Sequence, residues 1–219
     1  MTSQESPFDP VRDAILCEAL KVAAFEGFTP LALARAAAAA GRSKAELAAA
    51  LPGGAVDLLR WWSMRADQAA AAAAGEHREP PMKIRKKVAA GVEARLGYLR
   101  PHKEAARRAA AFLALPGNAP TGARLIWSAS DAIWQAMGDP STDFNFYSKR
   151  AILAGVISST MARWFADDSE DMAATKEFLR NRIENVMQFE KFKARVRDSG
   201  FDPEGIWGWL AKARYPEGR

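Results

Sequence analysis

No stretch of this chain alternates apolar and polar positions with a period of two for long. β-branched residues are sparse, and alanine is abundant, notably at Ala36–Ala40 and Ala69–Ala74. Alanine is the strongest helix former, so the pattern reads as all-α. Punctuation divides it into elements. Asp9-Pro10 and Thr29-Pro30 each offer a cap followed by proline at the first helical position. Ser43-Lys44-Ala45-Glu46 has the spacing of a capping box. Pro52-Gly53-Gly54, Glu79-Pro80-Pro81, Pro116 to Pro120, Gly138-Asp139-Pro140-Ser141 and Gly200 to Pro203 are breaks or turns. Helices are therefore predicted near 10–26, 30–40, 43–50, 55–76, 81–99, 101–115, 119–137, 142–166, 169–198 and 203–214. The first three form a head over 10–54, after a flexible terminus at 1–9. The core runs over 55–199, and 200–219 is a tail.

Three apolar faces carry candidate chemistry. Helix 119–137 presents Ile126, Ile133 and Met137 along one side, with Trp127 and Trp134 a heptad apart. Helix 142–166 carries Ile152, Val156, Ile157, Met161 and Trp164. Long, flexible and aromatic side chains on neighbouring helices can line an acyl or isoprenoid cavity. The candidate pocket is thus Ile126, Ile133, Trp134, Met137, Val156, Ile157, Met161 and Trp164, and its plain alternative is ordinary core. In 203–214, Ile206, Trp207, Trp209, Leu210 and Ala213 fall on one arc of a helical wheel, with Lys212 across from it. Two tryptophans flanked by cations suit a bilayer interface. The alternative is packing on the domain or on a second subunit.

Composition narrows the function. The chain has 219 residues, one cysteine (Cys17) and two histidines. That excludes an internal disulfide framework, a cysteine-based zinc site and most multi-histidine metal sites. Neither histidine has a glutamate three residues before it, so the di-iron bundle motif is missing. No phosphate loop or nucleophile set is visible, and neither a catalytic residue nor a cofactor is expected. The net charge is +5. Ten basic against four acidic residues gather over 76–108, a solvated face or a source of attraction to anionic headgroups. Residues 1–9 lack the apolar stretch of a signal peptide. No run approaches the roughly 20 apolar residues of a membrane span. The expectation is a cytoplasmic protein that meets the inner membrane peripherally.

The two short helices joined by Gly41-Arg42 have helix-turn-helix proportions, and Gly41-Arg42-Ser43-Lys44 with Leu47 resembles the DNA-binding head of the TetR family. The candidate recognition helix is chemically bare, however. Its end holds Ala48, Ala50 and Leu51 where that family usually has aromatic residues. One lysine and one arginine cannot neutralise the several phosphates that dominate affinity for DNA. Nucleic acid is therefore not the expected partner.

The most distinctive string is Gly138-Asp139-Pro140-Ser141-Thr142-Asp143-Phe144-Asn145-Phe146-Tyr147-Ser148-Lys149-Arg150. With Leu115 to Pro120, Trp134 and the run Phe178 to Met187, it resembles the family of coenzyme Q biosynthesis protein nine, in the form of a bacterial member. The resemblance implies a TetR-like all-helical fold, a homodimer and a lipid-binding interior. It also implies an accessory role in ubiquinone biosynthesis: presenting isoprenoid quinone intermediates to the di-iron demethoxyubiquinone hydroxylase, without catalysis of its own. Asp143, Phe146, Tyr147 and Arg150 fall on one helical face. By the resemblance they form the exposed surface offered to the hydroxylase. Phe146 stands where tryptophan is common in that family. The alternative reading of the whole chain is a TetR-like transcriptional regulator with a hydrophobic ligand.

Overall fold

The computed structural model describes residues 9–77, 81–142 and 144–198. Every regular element among them is helical: α1 (Pro10–Glu26), α2 (Pro30–Ala39), α3 (Lys44–Ala50), α4 (Ala55–Gly75), α5 (Ile84–Leu99), α6 (Lys103–Ala114), α7 (Ala119–Ala136), α8 (Phe144–Phe165) and α9 (Ala173–Asp198). Single 3-10 turns at Arg100–His102 and Glu170–Met172 join α5 to α6 and α8 to α9. The predicted helix at 203–214 lies outside the described residues.

The starts follow the sequence signals. The Asp9 carboxylate accepts from the N–H groups of Val11 and Arg12, and Thr29 accepts from Ala32. At α3 the capping box is complete, because Ser43 Oγ accepts from the Glu46 N–H while Glu46 accepts from the Ser43 N–H. These contacts satisfy donors that a helix start otherwise leaves unpaired. Gly27 ends α1 at φ 70° and Gly138 follows α7 at φ 75°, a region that costs other residues a Cβ clash.

Helices α1, α2 and α3 pack together, and α1 also contacts α4 and α6. The tie to α4 is specific. Asp13 accepts from the Trp61 indole at 2.8 Å and from Arg65 at 2.6 Å. The guanidinium groups of Arg12 and Arg65 lie 5.4 and 5.6 Å from the Trp61 ring centroid.

Helix α4 is the spine of the core, packed against both α5 and α7. Leu58, Ala66, Ala70, Val92, Ile133 and Ile157 are all fully buried. A Cβ added at Gly91 of α5 would lie 3.1 Å from Ile133 of α7 and 3.2 Å from both the Ala70 carbonyl and the Ala74 methyl of α4. A methyl there would have to push its neighbours back by a few tenths of an ångström.

The chain divides into two units, 1–179 and 180–219, and α9 runs through the boundary. Its first turns are fixed within the first unit. Buried Asp167 accepts from the backbone N–H and hydroxyl of Thr175 and of Ser169, which holds its carboxyl well below the usual range. Among the described residues no helix is long and apolar enough to cross a membrane.

Candidate functional site

Two features stand out. One is a cavity of about 500 Å³ between α4, α5, α6, α7 and α8. Its buried end is made by Leu59, Trp62 and Ser63 of α4, Arg95 and Leu99 of α5, and Ala106 and Ala109 of α6. Its open side is formed by Ala114, Ala119, Ala123, Ser158 and Ala162, all exposed. Ala110, Leu113, Gly122, Leu125, Ile126, Met161 and Phe165 complete the wall. Small residues create the space. Four alanines on α6 and two on α7 leave room that leucine at the same positions would fill.

The buried end also holds an ion pair. Arg95, 4% exposed, donates to Asp67, to the Ser63 carbonyl at 3.3 Å and to Ser63 Oγ at 3.0 Å. Burial pushes the Asp67 carboxyl up to about 6, against the pull of Arg95, and lowers Arg95 from its ordinary value. The Arg95 Nε–H is buried without a hydrogen-bond partner.

The second feature is an aromatic surface at the start of α8. Tyr147 is 61% exposed and packs edge-on against Phe146, with centroids 5.2 Å apart; the Trp127 ring of α7 lies 6.3 Å from it. A polar cluster lies beneath. The Arg150 guanidinium sits 3.4 Å from the Phe146 ring centroid, pairs with Asp131 at 2.5 Å and Asp139 at 3.3 Å, and donates to the Phe146 carbonyl. Lys149 pairs with Asp139 at 2.8 Å and donates to Ser141 at 2.6 Å. Bonds from Lys149 above all, then from Ser141 and Arg150, lower the Asp139 carboxyl to about 2.

The comparisons with known proteins bear on this half of the molecule. Residues 119–190 match the family model described as COQ9. Over 109 residues, half of this chain, the sequence is 40% identical to the ubiquinone biosynthesis protein COQ9, mitochondrial, of Rattus norvegicus and 38% identical to that of Homo sapiens. Residues 119–190 are thus similar to COQ9. The matched segment spans 35% of the rat protein and 34% of the human one, so the chain covers about a third of the length of these relatives. Architecture extends the likeness further. The crystal structure of a TetR transcriptional regulator from Nitrosomonas europaea superposes with a TM-score of 0.68, covering 82% of this chain and 99% of that one, at 18% identity. At that identity the likeness is one of fold: the chain is all-α and TetR-like.

The segment that matches COQ9 supplies α7, α8 and hence one side of the cavity, while α4, α5 and α6 supply the other. Of the eight residues expected to line a pocket, Ile126 and Met161 do so. Ile133, Val156, Ile157 and Trp164 are buried but are not among the residues that line this cavity. Trp134 belongs to the polar cluster instead: its indole donates to the Lys149 carbonyl at 3.3 Å, and the Lys149 ammonium lies 5.3 Å from its ring. Met137 is half-buried at the end of α7.

The expected exposed stripe on α8 needs one correction. Phe146 and Tyr147 do meet at the surface, but Arg150 is 2% exposed. Two carboxylates and an aromatic ring pull it inward, so it supports the surface rather than belonging to it. Asp143 lies outside the described residues, as do Ile206, Trp207, Trp209, Leu210 and Lys212.

Four cations of the basic stretch over 76–108 are committed within the protein. Arg95 is the buried cation of the cavity. Arg100 pairs with Asp171. Lys103 and Arg107 of α6 donate to the carbonyls of Asp167 and Phe165, which caps the end of α8. Among the described residues no group of three His, Cys, Asp or Glu side chains could hold a metal ion.

Sequence reasoning missed the ion pair, although it left a signal. Arg95 stands on the stripe Val88, Val92, Leu96 and Leu99, and Asp67 on the stripe Ser63, Ala66, Ala70 and Ala74. Opposite charges on two apolar faces are expensive unless they meet.

Proposed function

We propose that this chain is a lipid-binding accessory protein of ubiquinone biosynthesis, without catalysis of its own. The observation that carries the reading is the apolar cavity walled on one side by the segment that matches COQ9, since the relatives that share this likeness bear that pathway in their names. A volume of about 500 Å³ falls within the roughly 300–1,000 Å³ of small-molecule sites. An isoprenoid quinone intermediate enters at the rim of Ala114, Ala119, Ala123 and Ala162. Phe146 and Tyr147, with Trp127 beside them, form the surface offered to the di-iron hydroxylase. Aromatic residues above a rigid base are the composition of an interface hot spot, and the Arg150 cluster supplies that base. Residues 201–219, through Ile206, Trp207, Trp209, Leu210 and Lys212, dock on the cytoplasmic membrane, and the protein acts as a homodimer.

Native mass spectrometry of the purified chain tests the cavity directly. A co-purified phospholipid or polyprenyl quinone is expected. A chain that stays empty after incubation with a short-tailed quinone refutes lipid presentation. Removing 201–219 is expected to lower co-sedimentation with anionic vesicles, and unchanged co-sedimentation refutes the docking claim.

The TetR-like architecture favours a second reading, a regulator with a hydrophobic ligand. The surface of α3 weighs against it. Its exposed residues are Lys44, Ala45, Ala48 and Ala49, a single cation among alanines, and Arg42 at its entry pairs with Glu46 at 3.3 Å. Neither alanine nor a neutralised arginine reads a base edge or a phosphate. Salt-sensitive, sequence-selective binding to a duplex would reverse this ranking.

A further inference from the structure

We infer that the cavity encloses hydrocarbon equivalent to about 20 carbons and no more, chain inward and head group at the mouth, so that a longer or two-chain lipid is held by only part of its tail. The inference rests on the cavity being a lipid site, and adds how much of a ligand that site takes and which way round it lies.

Volume sets the ceiling. An apolar cavity of about 150 Å³ holds one benzene ring, six carbons. At the same filling, a cavity of about 500 Å³ holds about 20 carbons. Depth sets the shape of what fills it. Along α6 the wall runs from Ala106 at the closed end to Ala114 at the rim, eight residues or about 12 Å of helix. That is shorter than such a chain laid straight, so a chain that fills the space folds back on itself. The limit is one of bulk, not of reach.

Orientation follows from where the polar groups spend their bonds. Ser63 and Arg95 are the polar side chains of the closed end, and they bond to each other: Arg95 donates to Ser63 Oγ at 3.0 Å, to the Ser63 carbonyl at 3.3 Å and to Asp67. The Arg95 Nε–H has no partner, but it is fully covered and offers a ligand no surface to touch. A charged or hydrated head group carried to that end would give up its water for neighbours already bonded. Hydrocarbon instead meets Leu59, Trp62 and Leu99 there. The mouth is the reverse. Ala114, Ala119, Ala123, Ser158 and Ala162 are exposed, so water solvates a head group held among them.

The test is a ladder of straight-chain carboxylates: laurate, palmitate, arachidate and lignocerate, which rise from twelve to twenty-four carbons in steps of four. Each displaces Nile red from the full-length protein at pH 8.5, below the concentration at which it aggregates. A methylene taken out of water is worth about fourfold in affinity, and folding the chain consumes part of that. Affinity is expected to climb about tenfold or more per step from laurate to arachidate and then to stop, with lignocerate within about twofold of arachidate. Phe165→Ala removes a phenyl ring from the wall. It is expected to lift the ceiling, so that lignocerate binds about tenfold tighter than arachidate or more.

A gain that ends at laurate overturns the ceiling, because reach rather than bulk then limits the chain. So does a gain that continues undiminished to lignocerate in the wild-type protein. A ceiling that stays at arachidate in Phe165→Ala, with helical circular dichroism matching wild type, places the chain outside this cavity and overturns it as well. If no carboxylate displaces the dye at any length, the cavity is not a lipid site, and the functional reading beneath this one falls with it.

Discussion

Helix α5 contains two glycines whose replacement by alanine should have opposite effects. Gly97 is exposed, and a Cβ there meets nothing within 4 Å. Gly97→Ala gains the full helix propensity difference, about 1 kcal/mol. Gly91 is buried, and its Cβ would meet three atoms at 3.1 to 3.2 Å on two other helices. The Ala74 methyl and the Ala70 carbonyl are fixed to the backbone of α4, and only the Ile133 side chain can turn aside. Overpacking of that kind costs about 1–3 kcal/mol. Set against the same propensity gain, Gly91→Ala should range from neutral to about 2 kcal/mol destabilising. The gap between the variants is then about 1–3 kcal/mol, or a Tm difference of about 2–12 °C for a chain of this size. Thermal unfolding followed by circular dichroism reads it. A second consequence links packing to the site. Arg95 lies one turn beyond Gly91 on the same face, so displacing α5 moves the guanidinium at the closed end of the cavity. Gly91→Ala melting at or above Gly97→Ala would show that α4, α5 and α7 are not packed as closely as described.

Other changes probe the remaining features. Ala110→Phe, on the cavity wall, should block uptake of a lipid probe while leaving the circular dichroism spectrum intact; undiminished uptake would place the ligand elsewhere. Arg150→Met leaves Asp131 and Asp139 without their shared guanidinium, and should cost about 3–5 kcal/mol in chemical denaturation; a loss under about 1 kcal/mol, the scale of an exposed pair, would mean that solvent reaches the cluster. Asp139 has a folded-state pKa of about 2, below its ordinary value. Its stabilising contribution is therefore complete above about pH 4 and disappears as the pH falls toward 2. Asp139→Asn should be less stable than wild type at pH 7, with the difference shrinking on acidification. A difference that stays constant from pH 6 to pH 2 would contradict the assigned ion pairs.

Much of the fold is legible in the sequence alone. The bounds of α1 to α4 and α7 follow from Asp9-Pro10, Thr29-Pro30, the Ser43–Glu46 box and the glycine and proline turns, because caps are local chemistry between neighbouring residues. The cavity is less legible. Helical period identifies which residues face inward, but not which inward faces fail to meet. Ile133 and Ile157 read as pocket residues and are core: α4 and α5 close over Ile133, and Ile157 is fully buried on α8. The true wall includes the alanines of α6, whose small size looks like helix propensity in sequence. Arg150 misleads for a similar reason. Its spacing with Phe146 and Tyr147 places it on their face of α8, but Asp131 and Asp139, brought from α7 and the turn after it, draw it beneath them.

The alanine wall has a consequence for how such a site can diversify. Helix α6 is anchored through Lys103 and Arg107, whose bonds to the backbone carbonyls of Asp167 and Phe165 cap α8. Because those bonds end on backbone carbonyls, side-chain size at the half-buried Ala110 and the exposed Ala114 can vary while they persist. Each added methylene would shorten the space available to a ligand by a small step. Chain-length preference becomes a graded property, set residue by residue along one helix, while the aromatic surface on α8 keeps its shape.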